Sequence, residues 1–235
     1  MIGIIGAMQV EIEGLKAMLE GPETTTISGI DFTTGKLHGK EVVLAVCGVG
    51  KVFAALCAQT MILRFGVKAL INTGVAGTLC RELGIGDVAI STDVVQHDMD
   101  TSGLGDPVGL LSGINVIHLP ASTTLSALVA DVVRELSLNY RLGTIATGDQ
   151  FLCEKGKKDW IHDTFGAVAG EMEGGSIGHV CYVNQVPFVV IRTISDDADG
   201  NAPENFPLFA EATAKSAIRI TAAVLEKLED GQNLD

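Results

Sequence analysis

The chain has 235 residues, 47% of them hydrophobic and 19% charged, enough apolar side chain for a sizeable core and too much for a disordered segment. Its formal net charge is −13, a field that repels phosphate backbones and anionic lipid. Nucleic acid and membrane surfaces are therefore not expected partners.

In chain order, "IGIIGA" (2–7) reads as a buried strand and 9–20 as a helix. The start lacks a basic segment, so no signal peptide is expected. "GIDFTTGKL" (29–37) and "EVVLAVCG" (41–48) read as a hairpin, 51–65 as a helix, "KALINTG" (68–74) and "DVAISTDVVQHD" (87–98) as strands. The Gly-rich stretch 101–114 reads as one long functional loop. Residues 107–130 carry no Lys, Arg, Asp or Glu, but two prolines, an Asn and a His break any membrane helix.

A helix is expected over 122–138, a strand over 141–148, and helices over 155–164 and 172–184. A strand over 188–194 and a helix over 206–229 complete the set. Lys155, Lys157 and Lys158 read as a solvated face. In the last helix, Leu208, Ala212, Lys215 and Ile218 mark the inward face, widened by Phe209, Ala210, Ala217, Ile220 and Leu225. Glu226, Lys227 and Glu229 remain in water. The tail "EDGQNLD" is expected to fray, which leaves one domain over 1–230 and a tail over 231–235. Strands alternating with helices predict an α/β fold with a mixed, mostly parallel sheet. The five cysteines form no CxxC pair and most sit in apolar runs, as buried thiols do in a reducing cytoplasm; a catalytic cysteine is the sharper alternative.

Glycines recur at strand ends in "IIGAM", "VCGVGK", "NTGVAGT" and "ATGDQF". Such turns let a ligand approach the backbone in the crevice beyond the strands, although Gly also simply ends strands. Neither the Walker spacing nor GxGxxG is present, so neither ATP nor a dinucleotide is signalled. Glu11, Glu171, Glu173 and the pair Asp196 and Asp197 all lie where a buried strand gives way to a turn or helix. Singly, each reads as a helix-end or turn residue. Together they suit cleavage of a bond to a ribose carbon. That reaction needs an acid for the departing base, a base for water and acceptors for the sugar hydroxyls.

"IGIIGAM…E" (2–11), "GVGK" (48–51), "NTGVAG" (72–77), "GDVAISTDVVQHD" (86–98), "TGDQFL" (147–152), "EMEGGSIGHVC" (171–181) and "PFVVIRTISDDAD" (187–199) occur in the order of a known set. Over roughly residues 2–230 the chain resembles the 5′-methylthioadenosine/S-adenosylhomocysteine nucleosidases of the purine nucleoside phosphorylase-like superfamily. The resemblance implies a single domain whose mixed sheet is partly closed into a barrel and flanked by helices. It also implies a homodimer, no metal or organic cofactor, and hydrolysis of the adenine–ribose bond. Asp196 matches the general acid to adenine, oriented by Ser195. Glu11 matches the residue that activates water, and Arg192 anchors water and carboxylates. Glu173 matches the acceptor of the ribose hydroxyls, with Met172 against the sugar and Glu171 in support. Phe151 and the Leu152 backbone match adenine contacts. Met8, Val49 and Phe206 match the 5′-thioalkyl pocket.

Two departures bear on specificity. Val75 stands where some relatives place a Ser, and the loop 100–113, expected to reach the partner's pocket, has no aromatic residue. Rival readings are a phosphorylase or a futalosine hydrolase on the same fold, and a nucleoside-binding sensor. A phosphorylase needs cations for phosphate, and no Arg precedes Arg64. His97 and Asp98 lack a third ligand at metal spacing, and His179 reads as a packed residue.

Overall fold

The computed structural model describes residues 1–196, 202–229 and 231–234. The strands are β1 (Ile2–Gly6), β2 (Glu20–Ile27), β3 (Ile30–Leu37), β4 (Lys40–Val46), β5 (Ala69–Thr78), β6 (Val88–Gln96), β7 (Leu119–Pro120), β8 (Tyr140–Thr147), β9 (Ala167–Glu171) and β10 (Phe188–Asp196). The helices are α1 (Gln9–Ala17), α2 (Lys51–Phe65), α3 (Thr123–Glu135), α4 (Lys155–Phe165), α5 (Gly174–Asn184) and α6 (Ala202–Lys227), with a 3₁₀ turn at Ser102–Leu104.

One mixed sheet runs β10-β6-β8-β9-β5-β1-β4-β3-β2, with β7 on β6. Because β10 also pairs with β5, the strands β10, β6, β8, β9 and β5 close into a ring. The β5–β1–β4 and β5–β10 pairings are parallel; the β2–β3–β4 meander and the β10–β6 and β5–β9 pairings are antiparallel. The expected partly closed, helix-flanked sheet is what forms.

The continuous Val/Ile runs follow from burial on both faces. Along β10, Val189 and Ile191 pack with Leu15, Val129, Ile220 and Leu225, under α1, α3 and α6. Val190 and Ile194 turn the other way and join Ala54, Cys57, Met61 and Ile177 from α2 and α5. A third cluster, around Ile161 and Phe165, seats α4. Each such aliphatic contributes on the order of 1.5–3 kcal/mol on burial.

Several expectations change. β2 gave no periodic signal because nearly all its side chains are exposed on a sheet edge, where Pro22 is tolerated. β9 is short and contains Gly170, so it too carries no periodic signal. In α6, Leu208 is 72% exposed, and Ala212 and Lys215 also face water. The inward stripe is Ala214, Ala217, Ile218, Thr221, Val224 and Leu225, shifted around the helix because β5, β10, α1 and α3 cover only that side. Cys153 is exposed, whereas the other four cysteines are buried. Leu234 lies against the α3/α6 core, and Ser122 Oγ donates to its carbonyl at 2.5 Å. Asp197 lies outside the described residues. Among those described, no helix is long and apolar enough to cross a membrane.

Candidate active site

Beyond the carboxyl ends of β1, β5, β9 and β10 lies a cavity of about 430 Å³. Glu11, Glu171, Met172, Glu173, Arg192, Ser195 and Asp196 line it, as do Met8, Val49, Val75, Phe151, Leu152 and Phe206. Every residue to which the resemblance gives a role therefore reaches one cavity.

Glu11 sits in the first turn of α1, where unpaired backbone N–H groups attract a carboxylate. Its Oε2 accepts from the Ala7 and Met8 amides at 2.7 and 2.9 Å, and its Oε1 from the Val75 amide of β5 at 3.1 Å. The side chain is 1% exposed. Burial pushes its pKa up, against the nearby Arg192 charge and these amides, and a carboxylate with a raised pKa is a better base. Gly74 makes this approach possible. A Cβ there would run into both Arg192 and the Glu11 carboxylate.

Arg192, on β10, is the cation around which the acids gather. Its Nη2 donates to Glu171 Oε2, to Asn72 Oδ1 at 2.6 Å and to Glu173 Oε2 at 3.4 Å. Glu171 also accepts from Thr147 Oγ1 and from the Glu173 and Gly174 amides at 3.0 and 2.7 Å, so it caps α5 as well as binding the arginine. Glu173 is the residue just before α5. Its Oε1 accepts from the Gly50 amide at 2.9 Å, and burial raises its pKa to about 7. Gly50 has φ of 102°, a conformation that favours glycine. The turn is fastened by the Lys51 amide to Asp149 (2.8 Å), Lys51 Nζ to Asp98 (2.7 Å) and the Asp149 amide to Asp98 (2.9 Å). Asp98 thus serves an ion pair with Lys51.

Asp196 ends β10 beside Gly77 of β5, where the register shifts. A Cβ on Gly77 would lie 2.6 Å from Asp196 Oδ2, so glycine leaves the room the carboxylate occupies. Ser195 Oγ lies 3.2 Å from Asp196 Oδ1 and 3.3 Å from the Ala76 carbonyl, and can donate to either. Lys158 Nζ donates to Asp196 Oδ2 at 3.0 Å. Lys158 is 1% exposed, which overturns its expected place on a solvated face. Lys155 does face water, paired with Asp159. The signal for Lys158 was the spacing of the inward residues Lys158, Ile161 and Phe165 at i, i+3 and i+7.

The remaining wall is apolar. The Phe151 and Phe206 rings stand edge-to-face, 5.7 Å between centroids, at a mouth where Val49 is half exposed. No residue of the 100–113 loop lines the cavity. Asn72 and Thr147, neutral members of "NTGVAG" and "TGDQFL", carry no charge to signal their part in holding Arg192 and Glu171. The amides of Ala7 and Gly50 carry no side-chain signal at all.

The Phosphorylase superfamily model matches residues 1–226. The 5′-methylthioadenosine/S-adenosylhomocysteine nucleosidase of Oceanobacillus iheyensis is 38% identical over 228 residues, covering 97% of this chain and 99% of the relative. The aminodeoxyfutalosine nucleosidase of Helicobacter pylori is 36% identical, covering 97% of this chain and 98% of the relative. A crystal structure of the Helicobacter pylori 5′-methylthioadenosine/S-adenosylhomocysteine nucleosidase superposes with a TM-score of 0.92 at 37% identity, covering 97% and 98% of the two chains. Its ligand joins a 4-aminopyrrolopyrimidine, a hydroxypyrrolidine and a propynylthiomethyl arm. The chain therefore belongs to the phosphorylase superfamily, in the branch that holds these nucleosidases, and is an N-glycosyl hydrolase.

Proposed function

We propose that this cavity hydrolyses the N-glycosidic bond of 5′-methylthioadenosine and S-adenosylhomocysteine, and also of 5′-deoxyadenosine, releasing adenine and the 5′-substituted ribose. The observation that carries the reading is the convergence of Glu11, Glu173 and Asp196 on one cavity, with Arg192 beside the two glutamates. In this reading Asp196 gives a proton to the purine at ring nitrogen 7 as the bond from the sugar's anomeric carbon to ring nitrogen 9 breaks. Glu11 takes a proton from the water whose oxygen bonds to that carbon. Glu173 accepts the ribose hydroxyls, and the clustered carboxylates favour the cationic sugar of the transition state. Met172 lies against the sugar, Phe151 and Leu152 contact the base, Met8, Val49 and Phe206 surround the 5′ arm, and Val75 lines the substrate space without a hydroxyl to offer.

Water is favoured over phosphate as the nucleophile because Arg192 is the one basic residue lining the cavity among those described, and it already serves Glu171, Glu173 and Asn72. A second reading, aminodeoxyfutalosine as substrate, draws on the 36% identical relative and on the mouth of the cavity, where Val49 is half exposed. We further place the protein in the cytoplasm, in methionine salvage, as a homodimer. The dimer is supported by the exposed apolar face of α2, formed by Val52, Phe53, Leu56 and Leu63, with the 100–113 loop near the partner's pocket.

The test is adenine release from methylthioadenosine, S-adenosylhomocysteine, 5′-deoxyadenosine and aminodeoxyfutalosine, with and without phosphate. The reading expects turnover of the first three at a rate indifferent to phosphate. Phosphate dependence would mark a phosphorylase, binding without turnover a sensor, and turnover of aminodeoxyfutalosine alone the second reading.

A further inference from the structure

We propose that Lys158 is a positioning residue for the acid step, anchoring Asp196 from behind so that one carboxyl oxygen is held and the other is turned to the base. The inference rests on the reading of Asp196 as the acid.

Lys158 projects from α4 in the stripe that also buries Ile161 and Phe165. An apolar side chain would pack there without the cost of desolvating an ammonium. The charge instead meets Asp196 Oδ2 at 3.0 Å, with both side chains almost wholly buried. Asp196 and Ser195 line the cavity, whereas Lys158 does not. The cation thus meets the carboxylate from outside the substrate space. A carboxyl group turns easily about its last bond. Here Oδ2 is held by Lys158 in the room that Gly77 leaves, and Oδ1 lies beside Ser195 Oγ at 3.2 Å. These contacts fix the plane of the group. Once the proton has passed to the purine, the carboxylate left behind remains paired with an ammonium, so the charge created by the acid step is compensated where it forms. Lys158 touches no substrate atom in this arrangement and acts through Asp196.

The test compares Lys158→Met, which keeps length and removes the charge, and Lys158→Gln, which keeps a donor, with Lys155→Met on the exposed face of the same helix. Steady-state kinetics on methylthioadenosine, adenine binding by calorimetry and far-UV circular dichroism are measured on each. The inference expects kcat to fall about 10–100-fold in folded Lys158→Met, with KM and adenine affinity within about threefold of the parent, and a smaller loss in Lys158→Gln. Lys155→Met should match the parent. A folded Lys158→Met with kcat equal to or above that of the parent overturns the inference, as does a parallel loss of kcat and adenine binding. Failure of both Lys158 variants to fold also overturns it, since the residue is then structural. Asp196→Asn separates the two claims. If it keeps turnover, the acid reading itself falls; if it is inactive while Lys158→Met is normal, only the role of Lys158 falls.

Discussion

Replacing Glu173 by Gln should make stability less dependent on pH. Glu173 is 3% exposed, and burial lifts its pKa from the ordinary 4.5 to about 7. Between those values the folded protein holds a proton that the unfolded chain has released. The stability associated with that proton is fully present below pH 4.5 and lost as pH rises through 7. Over the interval from pH 5 to pH 8 the loss is on the order of 2–3 kcal/mol, since each pH unit between the two pKa values counts about 1.36 kcal/mol. Gln keeps an oxygen for the Gly50 amide and cannot ionise. Urea unfolding of parent and variant at one protein concentration, at both pH values, reads the effect directly. The free-energy gap, variant minus parent, should be larger at pH 8, by on the order of 2–3 kcal/mol. A gap that is the same at both pH values would refute the reasoning, because Glu173 would then be ionised throughout.

The same variant should discriminate less against substrates that lack ribose hydroxyls; unchanged ratios of kcat/KM would remove Glu173 from the sugar site. Gly77→Ala places a methyl 2.6 Å from Asp196 Oδ2, and should cut kcat by at least about tenfold while KM changes little; an unaltered kcat would show that the carboxylate need not sit there. A thiol reagent should label Cys153 quickly in the native protein and all five cysteines after denaturation, since Cys57 is pushed up to about 12 by burial and Cys47 and Cys181 are raised as well. Fast native labelling of more than one thiol would contradict the burial described.

Much of the fold was legible because its strands are buried on both faces, so that "FVVIRTI" announces β10 without any need for alternation. β2 was not legible, because an exposed edge strand is held by its backbone ladder to β3 and leaves no apolar pattern. The site divides in the same way. Glu11, Glu171, Glu173, Arg192 and Asp196 carry the charges that the chemistry requires, and their motifs stand in order along the chain. What fastens them does not announce itself. The Gly50 amide reaches Glu173 across 123 positions of sequence, and Asn72 reaches Arg192 across 120. Lys158 was hidden by two flanking lysines, although helical spacing aligned it with Ile161 and Phe165. In α6 the expected face fails at Leu208, Ala212 and Lys215, which are exposed, and holds at Ala217, Ile218, Ile220 and Leu225, where the helix packs on the core.

The central claim is that Asp196 delivers the proton that lets adenine leave. The most direct measurement is the turnover of methylthioadenosine by Asp196→Asn, taken together with calorimetric binding of the same nucleoside. The account predicts that kcat falls by roughly 10²–10⁴ while the nucleoside still binds, because the amide keeps the shape of the site without an acidic proton. A variant that binds equally well and turns over within a few-fold of the parent would contradict it.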